Sequence, residues 1–173
     1  IDLVIDGGGA NVGIESTVLD VSGARPVILR PGSIARSALE AIAGPVDVLT
    51  REAAPRGASP RPAPGMVERH YAPNARLVFV AAGAVDDAAR QMEALRATGR
   101  VGTLVWSQKM PEGDVTIRLE PDPARYAQAL YAALHAMDGA GCVAVVVERV
   151  PAGDAWEGVA DRLQRAAAPL EAS

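Results

Sequence analysis

The sequence of 173 residues contains one cysteine, one lysine and six aromatic residues. A single cysteine excludes an intrachain disulfide and a zinc site built on several cysteines. Six aromatic side chains are too few for a platform on which nucleic-acid bases stack. The formal net charge of −4 gives no overall positive field that would draw the chain onto nucleic acid or anionic lipid. Cys142 opens an apolar run, so we expect a buried core thiol rather than a nucleophile.

Long hydrophobic runs are also lacking. No stretch approaches the roughly 18 consecutive apolar residues of a membrane-spanning helix, and the first residues carry no basic region typical of a signal peptide. We therefore expect a cytoplasmic protein that does not associate with a membrane. The sequence starts in an apolar run without methionine, which indicates that residue 1 is a cut made by processing or by laboratory design.

Apolar residues make up 49% of the chain and charged residues 22%, a balance that indicates a folded globular protein. The length accommodates one domain, or one domain and part of another. In residues 1–50, short runs at 3–5, 17–21 and 26–29 predict strands. A helix is expected at 37–43, with Ser33 as its N-cap and Gly44-Pro45 as its end. Three strands and one helix cannot cover both faces of a sheet, so this zone predicts the end of a larger domain.

Residues 51–75 are rich in proline, and neither a helix nor a central strand can run through them. They predict an extended linker or a long functional loop. From residue 76 the pattern becomes regular, with strands expected at 77–80, 101–106, 115–119 and 143–147 and helices at 86–97, 123–137 and 156–168. Continuous apolar strands separated by helices predict an α/β fold with a mainly parallel sheet buried on both faces.

Ser16, Thr17 and Arg30 form the strongest local candidate for a site. Adjacent hydroxyls at a strand entry, with an arginine at the end of a neighbouring strand, can surround an anionic group with donors. The alternative is that the hydroxyls occupy an edge strand and Arg30 is solvated, and spacing alone favours this alternative.

The evidence for other candidate functional residues is weaker. Glycines 7–9 lack the spacing and the lysine of a phosphate loop, so we expect a tight turn there. For His135, inside an apolar helix, we expect a structural role. Glu148 follows a strand at the carboxyl edge where open α/β sheets bind ligands. Charges in the last helix, around residues 161–165, predict a solvated face.

Three groups of motifs occur in order along the chain. They are Gly-Ile-Glu-Ser-Thr-Val at 13–18 with Leu-Arg-Pro-Gly at 29–32, Pro-Gly-Met at 64–66 with Arg-His-Tyr-Ala-Pro at 69–73, and Asp-Arg-Leu at 161–163 with Arg-Ala-Ala at 165–167. This combination resembles the C-terminal part of the two-domain threonylcarbamoyl-AMP synthases. The resemblance implies that residues 1–50 end a YrdC-like α/β catalytic domain. It makes residues 51–75 a linker or lid and residues 76–173 a small Rossmann-like accessory domain.

The resemblance also implies an activity. ATP, L-threonine and bicarbonate would give L-threonylcarbamoyladenylate and pyrophosphate, assisted by Mg²⁺ whose ligands this sequence does not identify. The product would pass to downstream tRNA-modifying proteins that form threonylcarbamoyladenosine in tRNA. We expect no direct tRNA binding, because the chain is acidic and poor in aromatic residues. The alternative is that residues 51–76, which contain five arginines, bind tRNA.

Residue by residue, the resemblance assigns Ser16, and more weakly Thr17, to L-threonine. It assigns Arg30 to a nucleotide phosphate and Tyr71 to the nucleotide, with His70 as a weaker candidate. The linker that carries Tyr71 would fold over the cleft as a lid. No catalytic residue and no metal ligand is assigned.

The sequence also departs from the family pattern. Ala63 stands where a serine is usual, and Ser59 is a possible substitute. The family's Lys-x-Arg and Ser-x-Asn elements do not occur, because the one lysine is Lys109. The nucleotide site is therefore incomplete, and we expect these 173 residues to be an inactive fragment of the enzyme. The alternative is a non-catalytic α/β module that binds a nucleotide or a partner protein.

Overall fold

The computed structural model describes residues 2–8, 11–49 and 72–167, and two sheets dominate them. The first sheet has the strand order β1-β2-β3, with β1 antiparallel to β2 and β2 parallel to β3. Helix α1 makes the connection between the two parallel strands. The elements are β1 (Val18–Asp20), β2 (Val27–Arg30), α1 (Arg36–Ala43) and β3 (Asp47–Val48).

The predicted strands near 17–21 and 26–29 and the helix at 37–43 are confirmed, and two other predictions for this zone are wrong. Residues 3–5 form no strand, and Leu3, Val4 and Ile5 remain 77%, 77% and 85% exposed. Apolar residues form a strand only beside a partner strand, and none of the described residues pairs with them.

Ser33 does not cap α1, because the N-cap position is Ala35. The carboxylate of Asp154 instead accepts a hydrogen bond of 2.9 Å from the backbone N–H of Ser37 in the first turn. The cap therefore comes from a residue 117 positions away, which no local sequence pattern indicates. Gly44 ends the helix at φ 75°, as its position before Pro45 predicts.

The second sheet is parallel throughout, with the order β4-β7-β5-β6, which confirms the predicted α/β class. Its strands are β4 (Arg76–Val80), β5 (Val101–Val105), β6 (Val115–Arg118) and β7 (Ala144–Glu148). Its helices are α2 (Val85–Arg96), α3 (Pro123–Gly139) and α4 (Glu157–Ala166), the last preceded by a 3₁₀ turn at Asp154–Trp156. Each of these strands and helices begins and ends within three residues of its predicted bounds.

Both faces of this sheet are covered. Helices α3 and α4 pack on one face over a large apolar core, and α2 packs on the other over a smaller one. Every residue of β5 and β7 is buried, as their continuous apolar runs predict. Cys142 is buried at the edge of the larger core, which confirms the prediction of a core thiol.

The first sheet is joined to this layered unit through residues 13–16. Ile14 belongs to the larger core and is 7% exposed. Gly13 lies so close to α3 that an added Cβ would be 2.2 Å from the Cα of Gln128. A glycine is needed at this position because only hydrogen leaves room for the helix backbone.

In the part of the chain that the structure describes, no helix combines the length and apolar character needed to cross a membrane. The division of the chain at residues 50 and 75 stays a prediction.

Candidate functional site

Three of the five site residues expected from the sequence, Ser16, Thr17 and Arg30, lie where the segment before β1 runs beside the end of β2. Arg30 ends β2, and its Nε and Nη2 atoms donate to the carbonyl oxygen of Ser16 at 3.3 and 3.0 Å. Arg30 is only 9% exposed, so the alternative of a solvated side chain is wrong. The tertiary structure thus brings Ser16 and Arg30 into direct contact.

Ser16 and Thr17 differ in what their hydroxyls do. The Thr17 hydroxyl donates to the carbonyl of Ile34 at 3.0 Å and accepts from the backbone N–H of Ile34 at 3.1 Å. This reciprocal pair fixes the loop that follows β2 onto the start of β1. Ser16 lies just before β1 and is exposed, whereas Arg30, which contacts its carbonyl, is buried.

The close approach of these two segments depends on Gly32. A Cβ added to Gly32 would lie 2.2 Å from the backbone nitrogen of Thr17 and 2.6 Å from the carbonyl oxygen of Glu15. Real Cβ atoms do not come this close to backbone atoms, so the loop can lie on residues 15–17 only with glycine at this position. In the Arg-Pro-Gly sequence, the arginine supplies the donor side chain, and the glycine allows the close backbone approach that brings this side chain to residues 15–17.

A buried ionic network lies under the same segment. Arg162 of α4 is 4% exposed, and its Nε donates to the Glu15 carboxylate in a very short contact. Its Nη1 donates to the carbonyl of Pro31 at 3.0 Å, and its Nη2 donates to the carbonyl of Glu15 at 3.3 Å. The hydroxyl of Tyr131 on α3 donates to the same Glu15 carboxylate at 3.1 Å.

This network corrects the prediction that the charges of the last helix form a solvated face. Arg162 and Arg165 are both buried, and the Asp161 carboxylate accepts from Arg162 Nη1 at 2.5 Å and from Arg165 Nε at 2.8 Å. Arg162 follows Val159 by three positions and adjoins Leu163, so helical spacing already puts it beside the apolar stripe. That spacing was the available signal for Arg162, and we find none in the sequence for Tyr131.

The ionisation of Glu15 follows from these contacts. Partial burial raises the pKa of its carboxyl, but the hydrogen bond from Arg162 and the further hydrogen bonds and charge beside it outweigh burial. The net pKa lies below the ordinary value, so Glu15 is the anionic partner of Arg162 at neutral pH.

A fully buried carboxylate lies at the carboxyl edge of the parallel sheet. Glu148, with no exposed surface, accepts from the backbone N–H groups of Gly83, Trp106 and Ser107 at 3.0, 3.0 and 2.9 Å. The neighbouring Arg149 places its guanidinium carbon 5.0 Å from the centre of the Phe79 ring. Glu148 therefore ties two loops to the end of β7, which is a structural role.

A protein-family model described as "Threonylcarbamoyl-AMP synthase, C-terminal domain" matches residues 34–168, well over half of the chain. The chain belongs to the threonylcarbamoyl-AMP synthase family. The motif resemblance is thereby confirmed.

Curated members of the family align along almost the whole chain. The threonylcarbamoyl-AMP synthase of Pyrococcus abyssi is 32% identical over 170 residues, covering 96% of this chain and 49% of that protein. That of Bacillus subtilis is 31% identical over 171 residues, covering 95% and 48%. The chain therefore spans about half the length of these relatives.

Two solved structures share the fold. P. abyssi Sua5 complexed with L-threonine superposes with a TM-score of 0.76 at 30% identity, covering 94% of this chain and 48% of that one. A P. abyssi Sua5 variant with a consecutive histidine and tyrosine both replaced by alanine gives 0.77 at 28% identity, covering 94% and 47%.

Several expected features of this threonylcarbamoyl-AMP synthase family member remain predictions. His70, Tyr71, Ser59 and Ala63 lie outside the described residues. Within residues 2–8, 11–49 and 72–167, no three His, Cys, Asp or Glu side chains converge to hold a metal ion. His135 is exposed on α3 rather than built into the core.

Proposed function

We propose that this chain forms part of the active site of an L-threonylcarbamoyladenylate synthase. The complete enzyme converts ATP, L-threonine and bicarbonate into threonylcarbamoyl-AMP and pyrophosphate. The observation that carries the proposal is the direct contact between Arg30 and Ser16, the two residues assigned to different substrates.

The chemistry explains why two such residues should adjoin. The threonine amine condenses with bicarbonate to a carbamate, releasing water. A carbamate oxygen then attacks the α-phosphorus of ATP, and the bond to the bridging oxygen breaks as pyrophosphate leaves. The amino acid and the α-phosphate must therefore lie a few ångströms apart in one cleft.

In the proposed site, Ser16 offers its exposed hydroxyl to L-threonine and Arg30 directs its planar guanidinium at a nucleotide phosphate. The contact between Arg30 and the Ser16 carbonyl fixes the distance between the two binding groups. Thr17 holds the loop through Ile34, and its weaker assignment to L-threonine stays a prediction. Mg²⁺ is proposed to enter with the ATP phosphates.

His70 and Tyr71 are proposed to close over the nucleotide as part of a lid formed by residues 51–75. They are the only consecutive His-Tyr pair in the sequence. A consecutive His-Tyr pair is what the solved P. abyssi Sua5 variant replaces with alanine. We further propose a cytoplasmic enzyme whose labile product is consumed by tRNA-modifying proteins.

Pyrophosphate release tests the proposal. The complete polypeptide that contains this chain should release pyrophosphate from ATP only when both L-threonine and bicarbonate are present. The 173 residues alone should release almost none. Release by the complete polypeptide that is independent of threonine and bicarbonate would reject the proposed activity.

Arg30→Ala in the complete polypeptide should raise the KM for ATP at least about tenfold, because a charged donor fork to phosphate is lost. Arg100→Ala is the matched control. Arg100 also donates to a backbone carbonyl, that of Ala140 at 2.9 Å, but it lies beside the second sheet. Equal KM values for the two variants would remove Arg30 from the nucleotide site.

A further inference from the structure

We propose that Arg162 is a positioning residue for the substrate-binding segments, acting through Glu15 and the carbonyl of Pro31. The proposal rests on the proposed function, because it takes Ser16 and Arg30 as the substrate residues. It assigns to the last helix of the chain a task in the synthase reaction.

The contacts of Arg162 are placed for this task. Glu15 immediately precedes Ser16 in the chain, and Pro31 immediately follows Arg30. One guanidinium therefore joins the direct neighbours of both substrate residues, across 147 and 131 positions of sequence. Arg162 contacts Glu15 and Pro31 directly, so no intermediate residue is needed to transmit its effect to Ser16 and Arg30.

The geometry demands an arginine. Towards the substrate-binding segments its Nε, Nη1 and Nη2 atoms donate to three acceptors, namely the Glu15 carboxylate, the Pro31 carbonyl and the Glu15 carbonyl, and Nη1 also donates to Asp161. These acceptors are arranged for a rigid planar fork, and the single ammonium of a lysine cannot reach all three.

The guanidinium itself is held in place. Asp161 accepts from Arg162 at 2.5 Å and from Arg165 at 2.8 Å, while Tyr131 donates to Glu15 at 3.1 Å. Two carboxylates and two guanidiniums thus neutralise one another in a largely buried cluster. Removing one partner from such a cluster is destabilising, because it leaves a buried charge without its counterpart.

The backbone of α4 also touches the loop directly. A Cβ added to Gly158 would lie 2.4 Å from the carbonyl oxygen of Gly32, the residue after Pro31. Helix α4 thus approaches the loop as closely as the backbone permits, and a shift of the helix would move the loop with it.

The decisive experiment measures KM for threonine and for ATP in the complete polypeptide. Arg162→Ala and Arg162→Lys should each raise the KM for threonine about 10- to 100-fold, since small displacements of binding groups have effects of this size. Glu148→Gln is the matched control, because it also alters a buried charge, and the hydrogen bonds of this carboxylate go to Gly83, Trp106 and Ser107 in the loops of the second sheet. It should lower thermal stability and leave both KM values within about twofold of the unsubstituted enzyme.

Unchanged KM values in a folded Arg162→Ala or Arg162→Lys protein would overturn the positioning role. If Arg162→Ala does not fold, Arg162→Lys and Glu15→Gln supply the same comparison. If the unsubstituted enzyme shows no threonine-dependent turnover, the proposed function fails by itself.

Backbone hydrogen exchange provides a readout that does not depend on turnover. Backbone amides of residues 13–17, 30 and 32–34 should exchange faster in Arg162→Lys than in Glu148→Gln. Equal exchange in these two variants would overturn the inference even in an inactive protein.

Discussion

At the scale of single residues, three glycines decide how closely the two halves of the described structure can approach. Gly13 lies against α3, Gly32 against residues 15–17, and Gly158 against Gly32. In each case the nearest atoms to an added Cβ belong to backbone, which cannot move aside as a flexible side chain can.

Replacing Gly158 with alanine should destabilise the protein by about 1–3 kcal/mol, because the new Cβ would push α4 away from the loop. Gly139, the last residue of α3, has open space around its Cβ position and is the matched control. Gly139→Ala should be neutral or stabilising by up to about 1 kcal/mol through helix propensity alone. Urea unfolding of both variants measures the difference, and equal losses would contradict the close-packed junction.

At the scale of elements, the parallel sheet is tied at its carboxyl edge by the buried Glu148. Burial raises the pKa of this carboxyl, but hydrogen bonds from Ser107, Trp106 and Gly83 outweigh it, and the net pKa is lowered from the ordinary 4.5. A group with a lowered pKa in the folded state stabilises the protein above its unfolded pKa. That contribution is lost as pH falls through the folded pKa.

Acid should therefore loosen the two loops that Glu148 holds. The free energy of unfolding should fall as pH drops below about 4.5 in the unsubstituted protein, and it should fall less steeply in Glu148→Gln. At neutral pH the substitution should cost about 1–3 kcal/mol, because amide donors lose a charged acceptor. Unfolding curves at a series of pH values test both statements, and parallel pH profiles would refute them.

At the scale of the whole molecule, a core residue, a helix cap and an ionic network join the first sheet to the second. Ile14 of the first part lies in the core of the second, Asp154 caps α1, and Arg162 holds residues 15 and 31. Neither sheet can unfold without exposing the core or leaving the network charges unpaired.

We therefore expect the 173-residue chain to unfold in a single cooperative transition. Trp106 and Trp156 report on the second sheet by fluorescence, and far-ultraviolet circular dichroism reports on all helices and strands. Both signals should change at the same urea concentration. Arg25→Ala should change the urea concentration at the midpoint of unfolding little, because the Arg25–Asp47 ion pair is exposed. Two separate transitions would show that the sheets are independent.

Most helices and strands could be predicted from the sequence, because each depends on residues that are close together in the chain. Apolar periodicity located the helices and strands around the second sheet within three residues at either end. It failed at residues 3–5, where an apolar run has no partner strand among the described residues, and at β3, whose two residues carry no periodic signal.

The sequence by itself determined the α/β class, the parallel sheet and the motifs that connect Ser16 and Arg30 with this family. Only the tertiary structure decided that Arg30 contacts the carbonyl of Ser16, that Asp154 caps α1 and that Arg162 is buried beneath Glu15. The physical reason is distance along the chain. Periodicity and turn chemistry act over a few residues, whereas these contacts join residues up to 147 positions apart and exist only after the core has formed around Ile14.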